Sequence, residues 1–208
     1  MFACADPEPR FGMLDRFLVI AEKQSVPALI VVNKVDLVGA ERASAMFGRY
    51  VPLGYRILYT SAHSGRGVDE LRGSLQGMIS VFTGPSGVGK SSLLNAIQPG
   101  LGLEVRAVSQ ATSKGRHTTV VRRLFPLEGG GYVADTPGLK ALALWDIEPE
   151  ELDGYFPEIR PLVSQCQFSD CTHVHEPGCA VLAAMEAGEI HPDRYQSYLH
   201  MRFGEEEE

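Results

Sequence analysis

Apolar positions recur at helical spacing over residues 11–24, where Phe11, Leu14, Phe17, Leu18, Ile20 and Ala21 are interrupted by Asp15, Arg16 and Lys23. Pro27 then introduces a compact run, Ala28-Leu-Ile-Val-Val32, short and β-branched enough for a buried strand. Further strand candidates are Tyr55 to Thr60, Met78 to Thr83 and Gly131 to Ala134, the last ending at Asp135. Lys90 to Ile97 reads as a helix after a glycine-rich turn. Strands alternating with helices predict an α/β domain on a mostly parallel sheet, with ligands at the C-terminal ends of the strands.

Between 98 and 130 the pattern weakens, and Ser109 to Thr119 reads as a mobile polar loop. From about 146 onward the character changes. Acids and prolines come first, then a cluster of cysteines and histidine, then helical spacing at Ala180–Ala187 and Tyr195–Met201. Two domains are expected: 1–147, and a small, mainly α-helical 148–208 that ends in an acidic tail.

Composition narrows the classes. Hydrophobic residues are 44% and charged residues 22% of the 208, as in globular proteins and unlike disordered chains. No uninterrupted apolar run reaches the roughly 18 residues of a membrane span, and the N-terminus lacks the basic and apolar regions of a signal peptide. A cytoplasmic protein without a membrane partner is expected. The net charge of -7 includes the four glutamates Glu205 to Glu208, read as a solvated end. That total disfavours a broadly cationic nucleic-acid binder but leaves room for a local basic patch. Lys114, Arg116, Arg122 and Arg123 form the dense basic stretch. Such charges usually make a solvated loop; their functional reading is contact with RNA phosphates.

The chemistry begins at Gly84, Pro85, Ser86, Gly87, Val88, Gly89, Lys90, Ser91 and Ser92, which match the phosphate-binding P-loop between a strand and a helix. Glycines let backbone N–H groups turn toward phosphate oxygens, Lys90 would reach the β- and γ-phosphates, and the Ser91 hydroxyl would ligate Mg²⁺. Asn33-Lys34-Val35-Asp36 directly follows the Ala28–Val32 strand, and its carboxylate suits guanine, whose N1–H and exocyclic amine are adjacent donors. Ser61-Ala62 after the next strand would offer a backbone N–H to guanine O6. Asp135-Thr136-Pro137-Gly138 closes the fourth strand; Asp135 would hold Mg²⁺ through water and the Gly138 amide would sense the γ-phosphate. A bare Asp-x-x-Gly arises about once per chain by chance, so only its position gives it weight.

The order of these elements is rotated. In Ras-like G domains the P-loop comes first, whereas here Asn33–Asp36 and Ser61-Ala62 precede it. A circular permutation explains the order, because compact domains tolerate joining neighbouring termini and opening elsewhere. Downstream, Cys166-x4-Cys171-x-His173-x5-Cys179 offers three thiolates and one imidazole, the ligand set of a closed structural zinc site. His175, His191 and His200 are alternative ligands by residue type but read as surface residues, and Cys4 is left as a plain thiol.

This combination resembles the bacterial small-ribosomal-subunit-dependent GTPases, the RsgA (formerly YjeQ) family. The likeness spans nearly the whole chain and includes Leu14-Asp-Arg-Phe-Leu-Val19 and Glu176-Pro-Gly-Cys179. It implies a circularly permuted P-loop GTPase domain followed by a zinc domain. The implied activity is hydrolysis of GTP to GDP and phosphate, in late maturation of the 30S subunit and stimulated by the ribosome. The implied partners are GTP or GDP, the 30S subunit and 16S rRNA, and a monomer is expected. Family members carry an OB-fold domain ahead of the G domain, and this chain begins at that domain's expected end. Gly115-Arg116-His117-Thr118-Thr119 resembles the family's first switch, which would put Thr119 on Mg²⁺ and His117 near the hydrolytic water. The residue after the Asp-x-x-Gly segment is Leu139, which cannot orient water as the glutamine of Ras-type enzymes does. His117, Thr119 and Lys90 are therefore the catalytic candidates. Two other readings stand beside this one: a GTP-dependent rRNA-binding switch with little intrinsic hydrolysis, and a zinc-bearing RNA-interaction domain on an inactive nucleotide fold.

Overall fold

The computed structural model describes residues 1–103, 123–135 and 147–204, apart from the side chains of Arg123 and Asp135. These fall into two compact units. The first comprises 1–9, 29–51 and 55–141, and the second 10–28, 52–54 and 142–208.

The first unit carries two three-stranded sheets. In one, β1 (Phe2–Ala3), β2 (Leu29–Asn33) and β3 (Arg56–Tyr59) lie in the order β1-β2-β3, all parallel. In the other, β4 (Ile79–Val81) pairs in parallel with β6 (Tyr132–Asp135), whose other edge takes β5 (Arg123–Pro126) antiparallel. The apolar run Ile30 to Val32 is buried throughout, as the interior of a parallel sheet requires. The Met1 amino group donates to the Thr83 carbonyl oxygen at 2.7 Å, so the chain entering β1 meets the chain leaving β4.

Helices α2 (Ala40–Phe47), α3 (Val68–Leu75) and α4 (Lys90–Ile97) belong to the same unit. Val68, Leu71 and Leu75 of α3 and Leu93, Leu94 and Ile97 of α4 form one core with Val31, Leu58 and Val133 from the strands. Arg72 joins the two helices at their ends: its Nε donates to the Ile97 carbonyl oxygen at 3.0 Å, satisfying a terminal acceptor of α4.

The second unit gathers α1 (Phe11–Lys23), a 3₁₀ turn at Pro149–Tyr155, α5 (Arg160–Val163), α6 (Ala180–Glu186) and α7 (Pro192–Phe203). Its core holds Val19, Leu152, Phe156, Ile159, Val181, Ile190 and Tyr198, together with Cys171 and Cys179. The division differs from the boundary expected near 147, because residues 10–28 join the C-terminal unit. The reason is a buried charge. Asp15 is fully buried on α1 and accepts from Arg194 Nη1 at 2.7 Å and from Ser197 Oγ at 2.5 Å, both on α7. Such a carboxylate is tolerable only where its partner is, and that partner lies 179 residues away.

The expected elements return with ends moved by a few residues. The expected α/β class and mostly parallel sheet are present, with β5 as the antiparallel strand. The pattern gives no signal for α2, α3, α5, β1 and β5. Ser109 to Thr119, with Lys114 and Arg116, lies outside the described residues, as do Arg122 and the glutamate tail.

Candidate nucleotide site and metal centre

The phosphate loop is built by backbone that a side chain would obstruct. Gly84, Gly87 and Gly89 have φ of 144°, 81° and 92°. A Cβ on Gly84 would stand 1.9 Å from the Met1 carbonyl oxygen, and one on Gly89 would stand 2.5 Å from Asn33 Nδ2. Glycine is required at both positions on grounds of conformation and of space. Lys90 opens α4 and lies back across the loop, its Nζ donating to the carbonyl oxygens of Gly84 at 2.8 Å and Pro85 at 2.7 Å. Ser91 and Ser92 follow in the first turn, where helix N–H groups favour an anion. The Ala134–Val81 register sets the end of β6, and with it the main chain of Asp135, beside the end of β4 that feeds the loop.

Asn33 ends β2 and is the junction of the site. It is 1% exposed. Its Nδ2 donates to the Val88 carbonyl oxygen at 2.9 Å, and its Oδ1 accepts from Ala62 N at 3.2 Å and Thr60 Oγ1 at 3.3 Å. One side chain thus ties together the phosphate loop, the end of β2 and the turn after β3. Lys34 takes a left-handed conformation, φ 62°, and its Nζ donates to the Asp6 carbonyl oxygen. Asp36 is exposed in the 3₁₀ turn Val35–Leu37, placed to meet donors from outside. Beneath it, burial pushes the Cys4 thiol up to about 11, and the charge of Asp36 adds to the rise. Cys4 is a protonated core residue, as expected of a leftover thiol.

The Ser61-Ala62 turn is bonded within the protein. Ser61 N donates to the Arg66 carbonyl oxygen at 3.0 Å and Ala62 N to Asn33, so both amides are engaged inside the protein. The turn closes on itself through a further bond, Ser64 N to Ser61 Oγ at 3.1 Å. His117, Thr119, Gly138 and Leu139 lie outside the described residues.

In the second unit, Cys166, Cys171, His173 and Cys179 converge, their ligand atoms all within 4.8 Å of one another. Cys166 Sγ is 3.9 Å from Cys179 Sγ and 3.6 Å from His173 Nδ1, which is 3.4 Å from Cys179 Sγ. A tetrahedral ion with Zn–S of about 2.3 Å and Zn–N of about 2.0 Å requires separations of about 3.8 Å between sulfurs and about 3.5 Å from sulfur to nitrogen. The donor set and its spacing fit, and the cluster can hold a metal ion. Burial pushes the Cys171 thiol up to about 12, with the neighbouring Cys179 and Cys166 thiols adding to the rise against a main-chain hydrogen bond from His173. A divalent cation among these sulfurs supplies the opposite charge that favours thiolates.

Two residues absent from the expected ligand set shape this centre. Glu176 accepts from the main-chain N–H groups of Thr172 at 2.7 Å, Val174 at 3.0 Å and His175 at 3.1 Å, and from the Thr172 hydroxyl. Asp153, from the Pro149–Tyr155 turn, stands 3.3 Å from His173 Nε2. Asp153 lies in the acidic run 148–153, which reads as solvated, and Glu176 lies in the Glu176-Pro-Gly-Cys179 segment of the family likeness, where spacing says nothing of its hydrogen bonds. The alternative histidines lie apart from the cluster: His191 Nδ1 caps α7 by accepting from Asp193 N at 3.2 Å, and His200 meets Gln196 at 2.7 Å. His175 is exposed.

The comparisons with known proteins converge. A profile described as RsgA GTPase matches residues 1–145. This chain belongs to the RsgA GTPase family. A relative from Gemmatimonas aurantiaca, named small ribosomal subunit biogenesis GTPase RsgA, is 52% identical over 97% of the chain and 66% of its own length. One of the same name from Moorella thermoacetica is 50% identical over 96% of this chain and 68% of its own length. The solved structure of YjeQ from Thermotoga maritima superposes with a TM-score of 0.82 at 43% identity, covering 97% of this chain and 68% of that one. YloQ, titled a circularly permuted GTPase, superposes at 0.76 and 36% identity over 98% of this chain and 65% of its own. The chain thus spans about two thirds of these relatives. The RsgA fold is a circularly permuted GTPase, in keeping with the rotated order of Asn33–Asp36 and the phosphate loop.

Proposed function

We propose that this RsgA-family chain hydrolyses GTP and acts in biogenesis of the small ribosomal subunit, as its relatives are named for doing. The observation that carries this reading is Asn33, which leads into the Asp36 turn and bonds to both the phosphate loop and the turn after β3, gathering them into one cradle. Guanine would pair with the Asp36 carboxylate, the phosphates would lie along Gly84–Gly89, and Lys90 would leave its loop carbonyls for the β- and γ-phosphates. Ser91, Thr119 and Asp135 would hold Mg²⁺, which neutralises charge on the phosphates. His117 stands as the candidate to orient water in place of a glutamine. Zn²⁺ would sit on Cys166, Cys171, His173 and Cys179 as a structural ion, since the four ligands leave no open position.

The partners proposed are GTP and GDP, the 30S subunit and its 16S rRNA, with Lys114, Arg116, Arg122 and Arg123 as the rRNA-contacting stretch. Among the described residues no helix is long and apolar enough to cross a membrane, and a cytoplasmic monomer is the state proposed. The deciding experiment measures GTP turnover of the chain, and of its Lys90→Ala variant, with and without 30S subunits. Turnover that rises with subunits and vanishes in the variant supports the reading. Slow turnover that subunits leave unchanged, with GTP-dependent subunit binding, replaces it by the rRNA-binding switch. Nucleotide-binding calorimetry that shows no uptake of GTP or GDP removes both. Elemental analysis at one zinc per chain tests the metal; an absence of zinc removes it.

A further inference from the structure

We propose that Asp153 positions the metal-binding histidine from outside the ligand set, fixing the His173 ring so that Nδ1 faces the metal and Nε2 keeps its proton. The inference rests on the reading of the Cys₃His cluster as a metal centre, and on geometry independent of it. His173 is fully buried, and both of its ring nitrogens have partners. Nδ1 faces Cys166 Sγ and Cys179 Sγ at 3.6 and 3.4 Å, whereas Nε2 faces Asp153 Oδ2 at 3.3 Å on the opposite side of the ring. A neutral imidazole has one N–H and one lone pair, and a carboxylate only accepts. The proton therefore belongs on Nε2, which leaves the Nδ1 lone pair turned to the sulfurs.

The rest of the residue is held to match. Its backbone adopts φ 62°, and its carbonyl oxygen accepts from the Tyr195 hydroxyl at 2.5 Å. The Tyr198 ring lies beside the imidazole, centroids 6.0 Å apart, and the Tyr198 hydroxyl reaches the Thr172 carbonyl oxygen at 3.2 Å. Within this clamp, Asp153 alone engages Nε2 among the described hydrogen bonds. It comes from the Pro149–Tyr155 turn, 20 residues upstream of His173, so the metal loop and that turn share one hydrogen-bonded centre. Outer carboxylates of this kind raise the basicity of a ligating histidine and hold its ring in place, typically contributing about 10- to 100-fold in metal affinity.

The experiment uses the full chain loaded with zinc or with cobalt. Long-range proton–nitrogen correlation spectra of the zinc form are expected to show His173 metallated at Nδ1 and protonated at Nε2. Zinc transfer to a chromogenic chelator is expected to be about 10- to 100-fold faster from Asp153→Ala and intermediate from Asp153→Asn, which can still accept one hydrogen bond. Glu150→Ala, an exposed acid on the same turn, is expected to match the wild type. The visible spectrum of the cobalt form should keep its tetrahedral thiolate character in Asp153→Asn, separating looser binding from a changed ligand set. Metallation at Nε2, or zinc release from Asp153→Asn within twofold of wild type, overturns the role of Asp153. The Asn variant keeps the side-chain shape and removes the charge, so it decides even where the Ala variant unfolds. A wild-type chain that takes up neither metal overturns the metal reading and this one with it.

Discussion

The Asn33 side chain donates to the Val88 carbonyl oxygen at 2.9 Å, linking the end of β2 to the phosphate loop across 55 residues of sequence. Asn33→Ala removes this bond and leaves the Ala62 amide without its acceptor. A buried polar group stripped of its partner costs about 1–3 kcal/mol, and each 1.4 kcal/mol passed to the bound state is about tenfold in affinity. The expected result is a guanine-nucleotide affinity at least about tenfold weaker, measured by titration with a fluorescent GDP, and a lower urea midpoint. Unaltered affinity would show that the two loops are held together without Asn33.

Arg194 is the comparable junction in the second unit. It is 1% exposed, its Nε and Nη2 meet the Glu158 carboxylate at 2.6 and 3.1 Å, and its guanidinium lies 4.6 Å over the Phe156 ring. Asp15 and Glu158 hold its pKa above the usual arginine value despite a burial that acts to lower it. Arg194→Ala strands two buried carboxylates and is expected to cost about 3–5 kcal/mol, read by chemical denaturation. A loss below about 1 kcal/mol would mean that water readily replaces the guanidinium.

Glu176 makes stability depend on pH. Burial acts to raise its pKa, but the hydrogen bonds from the Thr172 hydroxyl and from the loop N–H groups outweigh it and hold the carboxyl well below its ordinary value of 4.5. A depressed folded pKa stabilises the fold fully above the unfolded value, and that contribution drains away as pH falls below it. Wild type is therefore expected to exceed Glu176→Gln in thermal stability at pH 7, with the gap narrowing below about pH 4.5. A gap that is constant from pH 7 to pH 3 would contradict the assignment.

His117→Ala is expected to retain GTP affinity and to lose the turnover stimulated by 30S subunits. Single-turnover hydrolysis with saturating subunits checks this, and full stimulation in the variant would remove His117 from the chemistry.

Much of the candidate nucleotide site is legible in the sequence because its motifs are local. Gly84 to Ser92 form one strand–loop–helix segment, and Asn33–Asp36 one strand end, so spacing alone exposes them. The role of Asn33 was not legible as it stands. Its side chain binds protein on both sides, and Val88, Thr60 and Ala62 become its partners only in the folded chain. The hydrogen bonds of the Ser61 and Ala62 amides are illegible for the same reason: which N–H groups a turn engages depends on how it closes.

The sequence by itself determined the α/β class, the rotated order of the GTPase elements and the four residues that converge in the Cys₃His cluster, since each rests on residue type and short spacing. Only the tertiary structure decided that α1 joins the second unit, that Asp153 meets His173, and that Glu176 gathers the N–H groups of Thr172, Val174 and His175. Those outcomes hang on long-range pairs, Asp15 with Arg194 and Asp153 with His173. A charge or an imidazole N–H can be buried only where a partner meets it, and in an unfolded chain no spacing says which distant residue that partner is.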